Sequence, residues 1–354
     1  MTETPMTEAQ RPRFTRRILI FVIIGLVVLA LYVYYFIRTT NVAHTLAQTN
    51  MLFYASAFVA FLATVFFSSL AWQSLLRNLN VKARISRVLL LMWSGLFFDV
   101  VVPEPGFSGD LSKAYMLAKT YGEDPGRIVA SVVSQKIISI VITVVSLFLG
   151  LFLLALHYTR ALSSLVLLFI AAVIFLSVFV LVLVTYISAR PAATRRLLNW
   201  LIRAIDFFRR GRWDPEDFRN RAEETLYEFH EGFRTLISNP KDMITPIAFC
   251  FISWGFDVSV VFLTFVALGY PLPVDQVLIV YALTGALASV GVSFVGVTEI
   301  IMTSSYTLLG IPLAYSLSAT LLTRVITLWF KLVVSYFAFQ YAGVQILLGR
   351  KPST

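Results

Sequence analysis

The 354-residue chain is 58% hydrophobic and only 14% charged, with a mean hydropathy of +0.81. That excludes an ordinary soluble globule, in which about a quarter of residues carry charge. A formal net charge of +10 would suggest nucleic acid in a soluble protein, but here it fits lysine and arginine gathered on one side of a membrane.

Met1 to Arg17 is polar and closes on Arg11, Arg13, Arg16 and Arg17, ahead of the apolar run Ile18 to Ile37. That run is longer than a signal-peptide core and lacks a small-residue cleavage site, so it reads as a retained first span. Further runs long enough to cross about 30 Å of hydrocarbon fall near 52–76, 128–156, 162–189, 243–268 and 313–348. Four apolar pieces, near 88–102, 109–119, 275–290 and 297–309, are too short to cross alone. They meet in pairs at breaks, Pro103-Glu104-Pro105-Gly106-Phe107-Ser108-Gly109-Asp110 and Ser289-Val290-Gly291-Val292-Ser293-Phe294-Val295-Gly296-Val297-Thr298-Glu299. In lipid a broken helix survives only where protein or a water-filled cavity satisfies its freed backbone groups. A pair of such breaks points to a transport site.

Charge counting orients the chain. Segment 77–87 carries Arg77, Lys82, Arg84 and Arg87, segment 190–241 carries eleven Lys/Arg residues, and the C-terminus carries Arg350 and Lys351. These belong in the cytoplasm. The intervening loops hold only Arg38 and Arg160, and the turns at 269–274 and 309–312 hold none. The region 88–126 must then leave and return on the cytoplasmic side, and 275–312 on the outer side. The expected fold is an all-α polytopic membrane protein with about six full spans and two oppositely oriented re-entrant hairpins, an inverted repeat with its tips meeting near the midplane. It divides into a polar cytoplasmic N-terminus at 1–17, a first membrane half at 18–189, a cytoplasmic linker at 190–241 and a second membrane half at 242–354.

Within the linker, Leu197, Leu198, Leu201, Ile202, Ile205 and Phe208 recur at helical spacing beside Arg195, Arg196, Arg203, Arg209 and Arg210, as in a basic amphipathic helix on an anionic leaflet. A second helix is expected to open with Asp214 as N-cap and Pro215 in its first turn. The linker reads as a surface element joining the spans rather than a substrate site.

Charges in the apolar regions are Asp99, Glu104, Asp110, Lys113, Lys136, Asp257, Glu299, Arg324 and Lys331. Each costs about 2.5–3.5 kcal/mol or more at the bilayer centre, so they must pair or line a polar cavity. Asp110 is either a first-turn cap or a ligand group, and Lys113, three residues on, can meet a lipid phosphate. Backbone N–H groups after Ser108 and Gly109 favour the same anion. Glu299, after Gly296, is a cap or the counter-charge of Arg324 or Lys113. Arg324 can hold a phosphate bidentately or form a buried pair with Glu299. Asp257 is a coupling carboxylate or a paired structural charge, while Lys136 and Lys331 read as snorkelling to an interface. The single Cys250 lies in an apolar run and reads as packing. With no P-loop, dinucleotide fingerprint, His-Glu-x-x-His or Gly-x-Ser-x-Gly, and with His44, His157 and His230 all in expected loops, no cofactor, metal site, catalytic residue or ATP-driving module is expected.

The pattern Trp72-Gln73-Ser74-Leu75-Leu76, Asp99-x-x-x-Pro103-x-x-Gly106-x-x-Gly109-Asp110-x-x-Lys113, Gly296-Val297-Thr298-Glu299, Leu309-Gly310-Ile311-Pro312 and Arg324 resembles the lysylphosphatidylglycerol synthase transmembrane family, the flippase portion of the multiple peptide resistance factor. The resemblance runs from about Trp72 to Tyr341. Asp99 stands where the family commonly has Asn, Ser108 where it has the first Gly, and Lys113 where it has Arg. Gln135-Lys136-Ile137-Ile138-Ser139 stands for Glu-Arg-x-x-Asp, and Val292-Ser293-Phe294-Val295-Gly296 for Pro-x-Gly-Leu-Gly. The resemblance implies movement of a phospholipid or similar phosphate-headed lipid between leaflets, by a stand-alone member without the soluble aminoacyl-transferring domain.

The expected function is thus a flippase-like translocase in the cytoplasmic membrane, with both termini in the cytoplasm and membrane lipids rather than nucleic acid as partners. Lys113 and Arg324 would engage phosphate. Asp110 and Glu299 would position them or bind a cationic head group, with Asp99, Ser108, Gly109 and Gly296 shaping the site and Asp257 a candidate for coupling. The rival is an intramembrane enzyme or enzyme subunit acting on a phospholipid or polyprenyl-phosphate with Asp110 or Glu299 as acid–base, and a third reading is a scaffold. Homo-oligomer formation is left open.

Overall fold

The computed structural model describes residues 42–101, 108–157, 164–196, 198–200, 215–289 and 296–347. The expected first span, the two hairpin tips, Glu104, Asp214, the basic segment 201–210 and both termini lie outside these residues. Every regular element described is helical: α1 Val42–Ala47, α2 Met51–Asn78, α3 Ile85–Val101, α4 Ser108–Tyr121, α5 Pro125–His157, α6 Ser164–Ala189, α7 Pro215–Ser238, α8 Ile244–Ala267, α9 Val274–Ser289, α10 Val297–Leu308, α11 Leu313–Arg324 and α12 Lys331–Leu347. A π-helical segment, Val325–Phe330, joins α11 to α12. Five stretches among the described residues are long and apolar enough to cross a membrane: Met51–Asn78, Pro125–Leu153, Ala171–Ala189, Ile244–Ala267 and Leu313–Gln345. The chain is an all-α polytopic membrane protein.

Local chemistry sets the boundaries. Asn50 caps α2, its side chain accepting from the Leu52 and Phe53 N–H groups, as an N-cap must to satisfy otherwise orphaned donors. α7 starts at Pro215, whose missing N–H costs nothing there. At the end of α10, Gly310 takes φ 86°, and the Ile311 N–H returns 3.1 Å to the Tyr306 carbonyl, a left-handed closure that favours glycine.

Helices pair antiparallel. The Asn50 N–H donates to the Ala267 carbonyl at 2.7 Å, while at the far end Asn78 Nδ2 donates to the Asp242 carbonyl at 2.8 Å. α2 and α8 are therefore opposed along their lengths. α3 leaves the Asn78 end of this pair and α9 leaves the Ala267 end, so the two short-helix hairpins open at opposite ends. The first hairpin closes at its mouth, where the Arg84 N–H meets Tyr121 Oη at 3.3 Å.

The packing is also reciprocal. α5, the span after the first hairpin, packs on α9, the first arm of the second. α12, in the span after the second hairpin, packs on α3, the first arm of the first, with Arg87 bonded to Gln345.

Trp72, Leu75, Leu76, Val88, Leu117 and Ile326 centre one apolar core; Phe265, Val277, Ile279 and Tyr306 centre another. The linker helix α7 lies against the start of α5, burying Phe229 and Phe233 over Ala130.

Candidate functional site

The first hairpin is built around a close backbone crossing. A Cβ on Gly95 of α3 would stand 2.7 Å from the Gly109 carbonyl oxygen of α4, so both positions must be small. One turn beyond Gly95, Asp99 is thereby brought onto the start of α4, where its Oδ1 accepts from the Gly109 N–H at 2.9 Å. Ser108 Oγ donates to the Phe98 carbonyl at 3.2 Å. Asp99 thus satisfies an orphan donor of the helix start, which releases Asp110 from that task.

Asp110 holds two lysines instead. Its Oδ1 is 2.7 Å from Lys113 Nζ, and its Oδ2 is 3.5 Å from Lys136 Nζ on α5. Lys113 is only 5% exposed. Its ammonium also lies 3.7 Å from Met92 Sδ and 5.1 Å from the Trp72 ring centroid, where the electron-rich ring face supports a desolvated cation. Trp72 is itself fixed, with Nε1 donating to Ser131 Oγ at 2.9 Å. Lys136 does not run out to an interface: it joins Asp110 and keeps its side chain 24% exposed.

Between α2, α3, α4 and α5 lies a hollow of about 210 Å³, lined by Asp99, Asp110, Lys113, Gln135, Lys136, Ser139 and Thr143 together with Met92, Leu96, Val132 and Ile140. Two carboxylates and two ammoniums face one another there inside an apolar helix bundle. Thr143 carries the lining toward α9, where a Cβ on Gly285 would stand 3.8 Å from its Cγ2.

The second hairpin repeats this logic with tighter geometry. Gly296 sits at φ 93°, a left-handed conformation that only glycine adopts cheaply, and its N–H donates to Glu299 Oε2 at 2.7 Å. Arg324 Nε donates to Glu299 Oε1, also at 2.7 Å. Glu299, expected as either cap or counter-charge, is both, one oxygen for each, and is fully buried. The two terminal guanidinium nitrogens of Arg324 have no hydrogen-bond partner among the described residues. One turn along, Thr303 and Thr320 bond across the same helices at 3.2 Å.

The two hairpins match in register. In each, the acid in the first turn of the second arm pairs with a base on the following span, 26 residues later for Asp110 and Lys136 and 25 for Glu299 and Arg324. On the neighbouring α8 and α9, Asp257 Oδ2 accepts from Tyr281 Oη at 2.7 Å. Lys331, the first residue past the π segment, lies within electrostatic reach of Asp99, Asp257 and Arg324.

Of the residues singled out from sequence, Asp99, Gly109, Asp110 and Lys113 line the hollow, with Ser108 fastened beside it. Gly296, Glu299 and Arg324 form a second cluster that does not line it. Asp257 lines neither and is bonded to Tyr281. Sequence reasoning passed over Gly95, named Trp72 and Gln135 only within the family pattern without giving them a role, and sent Lys136 and Lys331 to an interface. The acid-to-base interval, nearly repeated between the halves, was the available signal for Lys136. Among the described residues no three His, Cys, Asp or Glu side chains come together as metal ligands.

The family model described as the lysylphosphatidylglycerol synthase TM region matches residues 22–335. Curated relatives are UPF0104 membrane proteins. One from Pyrococcus horikoshii is 23% identical, covering 94% of this chain and 97% of its own length. One from Methanocaldococcus jannaschii is 21% identical over 92% and 95%, and one from Methanothermobacter thermautotrophicus is 22% identical over 92% and 96%. No solved structure matches the chain.

Proposed function

Because this chain belongs to the lysylphosphatidylglycerol synthase transmembrane family, we propose that it carries a phosphate-headed lipid between the leaflets of the cytoplasmic membrane, taking the head group into the hollow between the first hairpin and α5. The observation that carries this reading is the hollow itself: Asp99, Asp110, Lys113 and Lys136 converge on one cavity within an apolar helix bundle. Ionisable groups at such a depth are costly and mark a substrate path. Lys136, the more accessible lysine, meets the phosphate; Lys113 adds field from behind; Asp110 holds both in place.

The antiparallel α2–α8 pair, the opposed hairpin mouths and the matched ion pairs support two re-entrant hairpins in an inverted repeat. In transporters of that plan the two repeats exchange roles as the site faces either leaflet. Here the Glu299–Arg324 pair is tight and buried, while the Asp110–Lys136 pair is longer and opens on the hollow. Crossing proceeds as the first pair closes on the departing head group and the second loosens, so that the terminal guanidinium nitrogens of Arg324 receive the phosphate.

The test is purified protein in liposomes containing an acyl-labelled phospholipid and an impermeant quencher. Unmodified lipid should cross, and Lys136→Met, which leaves Asp110 paired with Lys113, should slow it at least tenfold while the variant elutes as the parent does. Transport no faster than in empty liposomes overturns the reading. A changed lipid mass would replace it with an intramembrane enzyme.

A further inference from the structure

Two residues that line the hollow, Asp99 and Gln135, each carry an acceptor oxygen with no hydrogen-bond partner among the described residues. Gln135, on α5, is only 6% exposed, and its Nε2 donates to the Ser68 carbonyl at 2.9 Å and to Ser68 Oγ at 3.2 Å. A carbonyl oxygen can only accept, so the amide nitrogen must face Ser68, and this fixes the orientation of the side chain. Its Oε1 is then left buried with no hydrogen-bond partner among the described residues, a state that costs about 1–3 kcal/mol unless something supplies a donor. Asp99 presents a similar surplus. One carboxylate oxygen accepts from the Gly109 N–H, while Oδ2 has no hydrogen-bond partner among the described residues and the side chain is open to the hollow. Donors in the same wall are committed: the Lys113 ammonium to Asp110, Met92 and the Trp72 face, and Lys136 to Asp110.

Unmet acceptors, one of them anionic, beside lysines that suit a phosphate describe the complement of a zwitterion. Resting on the translocation reading above, we propose that this hollow selects a head group bearing a primary ammonium next to its phosphate. The ammonium donates to Asp99 Oδ2 and Gln135 Oε1 while the phosphate faces Lys136. A quaternary ammonium has no N–H to give Gln135, so it meets the Asp99 charge but leaves the amide oxygen orphaned. A glycerol head group offers the Asp99 Oδ2 and the Gln135 amide oxygen no ammonium and brings a net negative charge beside them.

The experiment compares acyl-labelled phosphatidylethanolamine, phosphatidylcholine and phosphatidylglycerol, each in proteoliposomes of otherwise identical composition, with outer-leaflet quenching as readout. Phosphatidylethanolamine should cross at least tenfold faster than either of the others. Asp99→Asn keeps an oxygen for the Gly109 N–H, so the hairpin stays capped, but removes the charge; it should bring the phosphatidylethanolamine rate down to that of phosphatidylcholine. Gln135→Leu should narrow the same gap. Equal rates for all three lipids, or a preference for phosphatidylglycerol, would overturn this selectivity while leaving translocation intact. Movement of none of them overturns both readings. Unchanged selectivity in a folded Asp99→Asn protein also refutes the assignment.

Discussion

Removing both members of the Glu299–Arg324 pair should cost clearly less than the two single removals summed. Glu299 is fully buried and each of its oxygens has one partner, Gly296 N–H and Arg324 Nε, both at 2.7 Å. Arg324→Met strands a carboxylate in the bundle with a single neutral donor, a loss of about 3–5 kcal/mol. Glu299→Gln keeps an acceptor for Gly296 but leaves a guanidinium only 14% exposed without its counter-charge, at about 1.5–3 kcal/mol for the charge-assisted bond. In the double variant no orphan charge remains, so its cost should fall short of the summed single costs by about 2 kcal/mol. Denaturant unfolding of all four proteins in detergent micelles, followed by tryptophan fluorescence, measures the cycle. Single costs that add to within about 0.5 kcal/mol would refute the claim that these groups act as one buried pair.

Gly109→Ala should destabilise by about 1–3 kcal/mol, since its Cβ would overlap the Gly95 carbonyl oxygen and stand 2.5 Å from Asp99 Oδ1. Gly255→Ala, with nothing near the added atom, should be neutral or stabilise its helix by up to about 1 kcal/mol; the same unfolding titration separates the two. Trp72→Phe keeps an aromatic face under Lys113 but loses the Nε1 bond to Ser131, a cost of about 1 kcal/mol, readable as a lower unfolding midpoint with an unchanged slope.

Much of the architecture was readable because bilayer thickness dictates run length. The expected spans near 52–76, 128–156 and 243–268 appear as Met51–Asn78, Pro125–His157 and Ile244–Ala267, and the four short pieces as α3, α4, α9 and α10. Pairing within the site was less readable. Whether Asp99 or Asp110 caps α4 depends on how closely α3 and α4 cross, and that is set by Gly95 meeting Gly109 in space. Lys136 and Lys331 looked like snorkelling side chains because a lone lysine in an apolar run gives no sign of which way its helix is rotated. The partner positions decide it: Asp110 draws Lys136 inward, and the π segment sets the face on which Lys331 emerges.

The central claim is that a lipid head group passes through the charged hollow, and plugging that hollow tests it most directly. In a Cys250→Ser background, Ser139→Cys lines the cavity, whereas Val145→Cys lies on the same helix at a position 58% exposed on the outer face. Coupling a bulky thiol reagent to Ser139→Cys should abolish lipid crossing in liposomes, and coupling it to Val145→Cys should leave crossing unchanged. Lipid movement that persists through a fully labelled Ser139→Cys protein would contradict the account.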